Sequence, residues 1–177
     1  MVASTEAESG DPLAVFGDEG YLRNRLHTPQ GARILNAVIR PLWARFPPRG
    51  FGLITTVGRR SGRVRHRPVR VIVTDHTAYL VAIVGEYSDW LRNLRAAPRV
   101  GLRARGIRTT GRARGLHDET ETRNARELYC RRVHLCDYVE CFLHLRGRPS
   151  RRKFEQLHER WFRMGTPLAI DIDSART

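Results

Sequence analysis

Lysine is almost absent from this chain: of 32 Lys and Arg residues only Lys153 is a lysine, and with 18 Asp and Glu the formal net charge is +14, carried almost wholly by guanidinium. An arginine presents a planar, bidentate fork to phosphate and carboxylate, which an ammonium does not. A genome that writes Arg for Lys accounts for many of these positions, but the surplus still implies an anionic partner: nucleic acid, an acidic membrane surface or an acidic small molecule. Long hydrophobic runs are lacking too, and none approaches the roughly 18 residues of a membrane span. The first residues, MVASTEAESGDP, are polar and acidic rather than basic and apolar as in a signal sequence, so the expected location is cytoplasmic.

Cysteine is scarce, with three in the chain. An odd number in a cytoplasmic protein speaks against a disulfide framework. Cys130, Cys136 and Cys141 interleave with His134 and His144, yet ARELYCRRVHLCDYVECFLHL reads as one helix, which scatters those side chains around its cylinder. Buried thiols are expected there rather than a metal site. Also lacking are GxxxxGK[ST] spacing, a Ser/His/Asp or paired-carboxylate constellation, and the βαβ rhythm of a Rossmann sheet.

What is present is organised as a polar tail and one domain. Residues 1–12 have no periodicity and are expected to be disordered; residues 13–177 are expected to form a single domain, since 177 residues at 41% apolar composition suit one core. From Tyr21 to Phe46, Ile34, Leu35, Val38, Ile39, Leu42 and Trp43 recur at helical spacing flanked by Arg33, Arg40 and Arg45, with Pro41 kinking or dividing the helix. Such a helix covers a barrel end or, less commonly, lies on an anionic membrane. After PPRG the period changes to strands at Phe51 to Val57, Pro68 to Thr74 and Thr77 to Val84, with a tight turn at Asp75 and His76. A short helix follows from Ser88 to Ala97 and ends at Pro98. A hairpin of Arg99 to Arg103 and Ile107 to Leu116, helices at Glu119 to Leu145 and Arg151 to Phe162, and a strand at Pro167 to Ile172 complete the pattern. Strands with one inserted helix and outer helices give an α+β antiparallel barrel or half-barrel.

The most informative segment joins the first two strands: Thr55-Thr56-Val57-Gly58-Arg59-Arg60-Ser61-Gly62-Arg63-Val64-Arg65-His66-Arg67-Pro68. It reads as a long polar loop from Gly58 to Pro68, whose glycines let the backbone approach a ligand and expose N–H groups as in an anion-binding nest, while the arginines supply charge.

TTVGRRSG, followed by Arg65 and Pro68, resembles the hallmark of the deazaflavin-dependent nitroreductases (nitro/quinone reductase-like), and WLRNLRAAP at Trp90 to Pro98 resembles that family's second signature, in the same order and at about the same separation. The resemblance implies a split β-barrel, of the flavin reductase and FMN-binding type, that binds coenzyme F420, a deazaflavin with a phosphate and a polyglutamate tail. It assigns Arg59, Arg60 and Ser61 to the phosphate and tail, and Arg65, His66, Arg67, Pro68, Val69 and Arg70 to the path towards the ring. Ala82, Ile83, Val84 and Gly85 would line the deazaflavin, and Asp89, Trp90, Leu91, Arg92 and Asn93 would close the pocket. Trp90 could equally be simple core packing, and Asn93 a brace for a loop. The connection GEYSDW is shorter than in relatives. Tyr138 is the candidate substrate donor, against a plain interfacial aromatic.

The implied activity is hydride transfer from reduced deazaflavin to a small-molecule electron acceptor, a quinone, nitro compound or activated alkene, with F420 preferred over FMN and no metal. Two alternatives stand beside it. One is a carrier that binds F420 without substantial turnover. The other is a nucleic-acid-binding barrel, disfavoured because the strands offer only Phe51 and Tyr79 for stacking. The sequence leaves a monomer and a homodimer open, and with them a peripheral membrane contact through the N-terminal helix.

Overall fold

The structure, a computed structural model, describes residues 37, 40–104, 106–138 and 148–173. The expected N-terminal tail and most of the amphipathic helix lie outside these residues, as do Cys141 and His144. Six strands form a closed antiparallel barrel: β1 (Phe51–Val57), β2 (Val64–Val73), β3 (Thr77–Ala82), β4 (Arg99–Ala104), β5 (Ile107–Arg114) and β6 (Thr166–Ile172), in the spatial order β1-β2-β3-β6-β5-β4. Alternation along each strand sends one set of side chains inward. Ile54, Val71, Ala78, Leu80, Val100, Leu102, Leu168 and Ile170 fill the barrel.

Helix α1 (Asp89–Ala96) closes one end, with Leu91 and Leu94 buried in the same core and Trp90 packed against it. Outside the barrel, α2 (Glu119–Arg131) and α3 (Arg151–Met164) cover β2 and β3 through a second layer of Ile72, Val81, Ala125, Tyr129, Cys130 and Phe162. Side-chain caps hold these helices: the Asp118 carboxylate accepts from Glu121 N–H at 2.7 Å, and Ser150 Oγ from Lys153 N–H at 3.4 Å. Residues 40–45 are helical, Pro41 included, and Trp43 packs at a tilt against Phe51 with ring centroids 5.1 Å apart. No helix of the described residues is long and apolar enough to cross a membrane.

Two expectations are corrected. The helix from Glu119 stops at Arg131 instead of running to Leu145, and residues 132–134 are non-helical before a short helical turn at 135–138. The cause is Arg70. Its buried guanidinium donates to the carbonyl oxygens of Tyr129 at 3.0 Å and Arg132 at 2.6 Å, and pairs with the buried Asp137 carboxylate, whose other oxygen accepts from His134 N–H. Carbonyls that would continue the helix are taken by a side chain from β2. The second correction concerns the supposed long loop: β2 begins at Val64, not Pro68, so the connection after β1 is a six-residue turn, residues 58–63. Val57 faces Val64 and Ile54 faces Arg67, because polar residues pair in a ladder as well as apolar ones when the face they present is wet.

Candidate active site

The turn is closed by its own backbone. Gly58 N–H donates to Arg63 O at 2.9 Å, and Ser61 and Gly62 N–H donate to Gly58 O at 3.1 and 2.8 Å. Arg63 N–H reaches Ser61 Oγ at 3.4 Å, and Arg59 N–H reaches Asn93 Oδ1 at 3.1 Å. A side chain at Gly58 would put its Cβ 2.7 Å from Ser61 Oγ, and Gly62 sits at φ +63° with open space around it. The glycines therefore serve the turn itself, and the expected nest of free amides is not formed, since these N–H groups are already taken. The charge this segment offers is carried by its side chains.

Those side chains divide into two kinds. Arg59 is held: Nη1 donates to Asn93 Oδ1 at 3.2 Å and to Asp89 Oδ1 at 3.1 Å, and Arg92 reaches the same Asp89 oxygen at 3.0 Å. Asn93 is buried while Asp89 is exposed, so α1 is latched onto the turn by one buried amide and one wet carboxylate. The guanidiniums of Arg60, Arg63 and Arg65, by contrast, make no hydrogen bond or ion pair among the described residues, and all three are exposed. Burial lowers the pKa of Arg67 and the nearby Asp89 opposes that shift. The turn and the first residues of β2 thus carry free positive charge beside a fixed brace.

Strand alternation splits the expected cofactor-lining stretch. Arg65, Arg67 and Val69 share the inward face, and Val69 packs on the barrel core. His66, Pro68 and Arg70 face outward: His66 Nδ1 lies 3.0 Å from Thr55 Oγ1, and Arg70 is consumed by the α2 terminus. A one-residue step along a strand changes its face, which a reading of the segment as loop could not reveal.

The ladder between β2 and β3 is short. It comprises Val71↔Leu80, Ile72↔Tyr79 and Val73↔Ala78, whereas Val64 to Arg70 pair with β1 alone and Val81 and Ala82 with β6. Val71 N–H donates to Gly50 O on the β1 side, so the alternating backbone groups of Pro68 and Arg70 face β3. Pro68 has no N–H to give there. The barrel wall is split at this point. Continued past Val71↔Leu80, the same register would set Val69 opposite Ala82 and Arg67 opposite Val84. In the structure Arg67 and Val69 pair with β1 alone, and the turn at residues 58–63 lies at the far end of this unpaired stretch of β2. Ala82 itself is fully buried, and Ile83 leans the other way onto Leu157 and Trp161.

Other residues stand apart. Tyr138 packs edge-on against Phe154, with centroids 4.7 Å apart and the residue 45% exposed, and no described contact joins it to the turn or α1. Thr56, part of the hallmark but given no role from sequence, is buried at the turn end of β1, and its hydroxyl has no partner among the described residues. Burial pushes the Cys130 thiol up to about 12, with Glu159 adding to the shift, so at neutral pH it is a protonated, inert core group.

A family model described as F420H(2)-dependent quinone reductase matches residues 34–139. No protein of curated function matches the chain. Among solved structures, an F420-H2 dependent reductase (FDR-A) is similar at 18% identity over 71% of this chain and 97% of its own, with a TM-score of 0.49. A putative pyridoxamine 5'-phosphate oxidase from Listeria innocua is similar at 14% identity over 79% and 94%, with a TM-score of 0.44.

Proposed function

Because the chain belongs to the F420H(2)-dependent quinone reductase family, and is thus an F420-dependent oxidoreductase with a split-barrel fold, we propose that it reduces a small electrophilic acceptor, a quinone, nitro compound or activated alkene, at the β2/β3 split. The observation that carries this reading is the ladder ending at Val71↔Leu80 beside three unpaired guanidiniums.

The residues fit the group. A long polyanionic tail needs several exposed cations within one turn of chain, which Arg60, Arg63 and Arg65 supply, and a flat ring needs an apolar edge, which Val69, Val84 and the backbone of Gly85 offer. When bound, the deazaflavin supplies the hydride. The protein's part is placement. Asn93 and Asp89 hold the turn against α1 through Arg59, so that the free arginines project from a fixed base. Arg67, near Asp89 on the inward face, brings a cation to the mouth of the split, where it favours negative charge developing on a reduced acceptor. Leu91 and Leu94 seal the barrel beneath α1 and exclude water from that side.

The test is to titrate the purified chain with F420 and, separately, with FMN by fluorescence, then to follow oxidation of F420H2 with a benzoquinone, a nitroaromatic and an activated alkene. F420 should bind much more tightly than FMN, and at least one acceptor should be turned over only in the presence of protein. Equal FMN binding would sink the choice of cofactor at this site. Tight F420 binding with no turnover of any acceptor would leave a carrier instead.

A further inference from the structure

On the outward side of the sheet, away from the split, lies a basin of about 1310 Å³ floored by Leu53, Thr55, Gly101 and Thr110 and walled by residues of the helical segment, Ala37, Arg40, Pro41 and Ala44. Its cations among the described residues are Arg40, Arg99, Arg103 and Arg108, with the His66 ring beside them, and its one carboxylate among those residues is Asp173. Asp173 is already engaged: Arg99 pairs with it at 2.9 Å and the Thr110 hydroxyl donates to the same oxygen. The register between β4 and β5 places Arg103 directly opposite Arg108. Like charges in that position repel and destabilise a sheet. Arg40, Arg103 and Arg108 have no hydrogen bond or ion pair among the described residues, so the repulsion is uncompensated by them.

The sequence holds the complement. Residues 1–20 carry Glu6, Glu8, Asp11, Asp18 and Glu19 and no Lys, Arg or His, in a chain of net charge +14. Their path to the described chain ends on the rim of the same basin, at Ala37 and Arg40. The connecting residues reach far enough: at up to about 3.5 Å each they exceed several times over the width of three strands spaced about 4.8 Å apart. Tethering also raises the local concentration of the acidic segment to the millimolar range, so individually weak, exposed ion pairs suffice.

We propose that the acidic segment of residues 1–20 docks in this basin, its carboxylates neutralising Arg103, Arg108 and Arg40. The docked segment relieves the cross-strand repulsion and shields the basic face from other polyanions. The contact is electrostatic, so it loosens as salt rises.

Two measurements on the full chain test this. The first is the rate at which a Glu-specific protease cuts after Glu6, Glu8 and Glu19, comparing the natural sequence with R103E/R108E. Cleavage tracks the undocked population, so the variant should be cut about fivefold faster or more at low salt. The difference should vanish at about 1 M salt, where the Debye length is about 3 Å. The second leaves the barrel untouched: E6Q/E8Q/D11N/D18N/E19Q should bind labelled poly-L-glutamate at least about tenfold more tightly than the natural chain, by loss of its tethered competitor, and adding R103E/R108E should abolish that gain, which separates the basin from Arg60, Arg63 and Arg65. Equal cleavage rates together with unchanged poly-L-glutamate affinity would overturn the proposal. So would a neutralised-segment variant that ignores poly-L-glutamate and instead gains binding to phosphatidylserine vesicles, which would make the basin a lipid-docking face.

Discussion

Replacing Arg70 with methionine separates two roles that the sequence had merged. The resemblance set Arg70 along the cofactor; the structure gives its guanidinium to Asp137 and to the carbonyls of Tyr129 and Arg132, with both charged side chains essentially inaccessible to water. R70M leaves the Asp137 carboxylate buried opposite a hydrocarbon and leaves the Tyr129 and Arg132 carbonyl oxygens without the hydrogen bonds that Arg70 donates to them. Breaking a buried pair from one side costs about 3–5 kcal/mol, which for a chain of this size lowers the melting temperature by about 6–20 °C. Removing both charges, as R70M/D137L, should recover most of the loss, because no uncompensated charge remains. Urea unfolding of the natural chain, both single variants and the double variant closes a thermodynamic cycle. F420 titration of the folded R70M protein below its transition should give nearly the natural affinity. A loss under about 1 kcal/mol in R70M, or a double variant as unstable as the sum of the singles, would refute the assignment of Arg70 to the strut. Intact stability with lost F420 affinity would return it to the cofactor.

Further outcomes follow from the same geometry. R60A should weaken F420 binding by about 1.5–3 kcal/mol, the scale of a hydrogen bond to a charged group, while leaving a tail-less deazaflavin unaffected; R59A should also lower the melting temperature, since it unlatches Asn93 and Asp89. Should R60A weaken both ligands equally, the turn does not read the tail. G62A should cost about 1–2 kcal/mol from its positive φ alone, there being no steric neighbour, and a neutral result by urea unfolding would contradict the turn's geometry. Burial, reinforced by Arg70, pulls His158 from 6.5 down to about 3. The unfolded chain therefore takes up a proton below pH 6.5 that the folded chain refuses until about 3, and stability falls across that window as pH falls. H158Q should flatten the loss between pH 7 and 4.5, and an unchanged slope would show that other groups govern it.

Local chemistry was legible in the sequence. The β1 span, the turn at Asp75 and His76, the helix starts at Glu119 and Arg151 and the helix ending before Pro98 follow from periodicity, turn chemistry and proline, each of which acts within a few residues. The hallmark residues pointed to an F420-dependent oxidoreductase, and the family match agrees. What the sequence could not decide were relations between distant segments. That β2 starts at Val64 depends on β1 being there to pair with it, and that pairing turned a presumed loop into a strand whose alternate residues face opposite sides. The helix from Glu119 has no local stop at Arg131: no Gly or Pro ends it, and only Arg70, some sixty positions away, takes its carbonyls. Likewise, whether Arg59 or Arg60 is free for an anion depends on Asn93, thirty-four residues from Arg59, which binds one and leaves the other. Propensity and motif act along the chain, whereas the pairing of charge and backbone groups is decided across it, where burial makes an unmet partner costly and selects the arrangement that satisfies it.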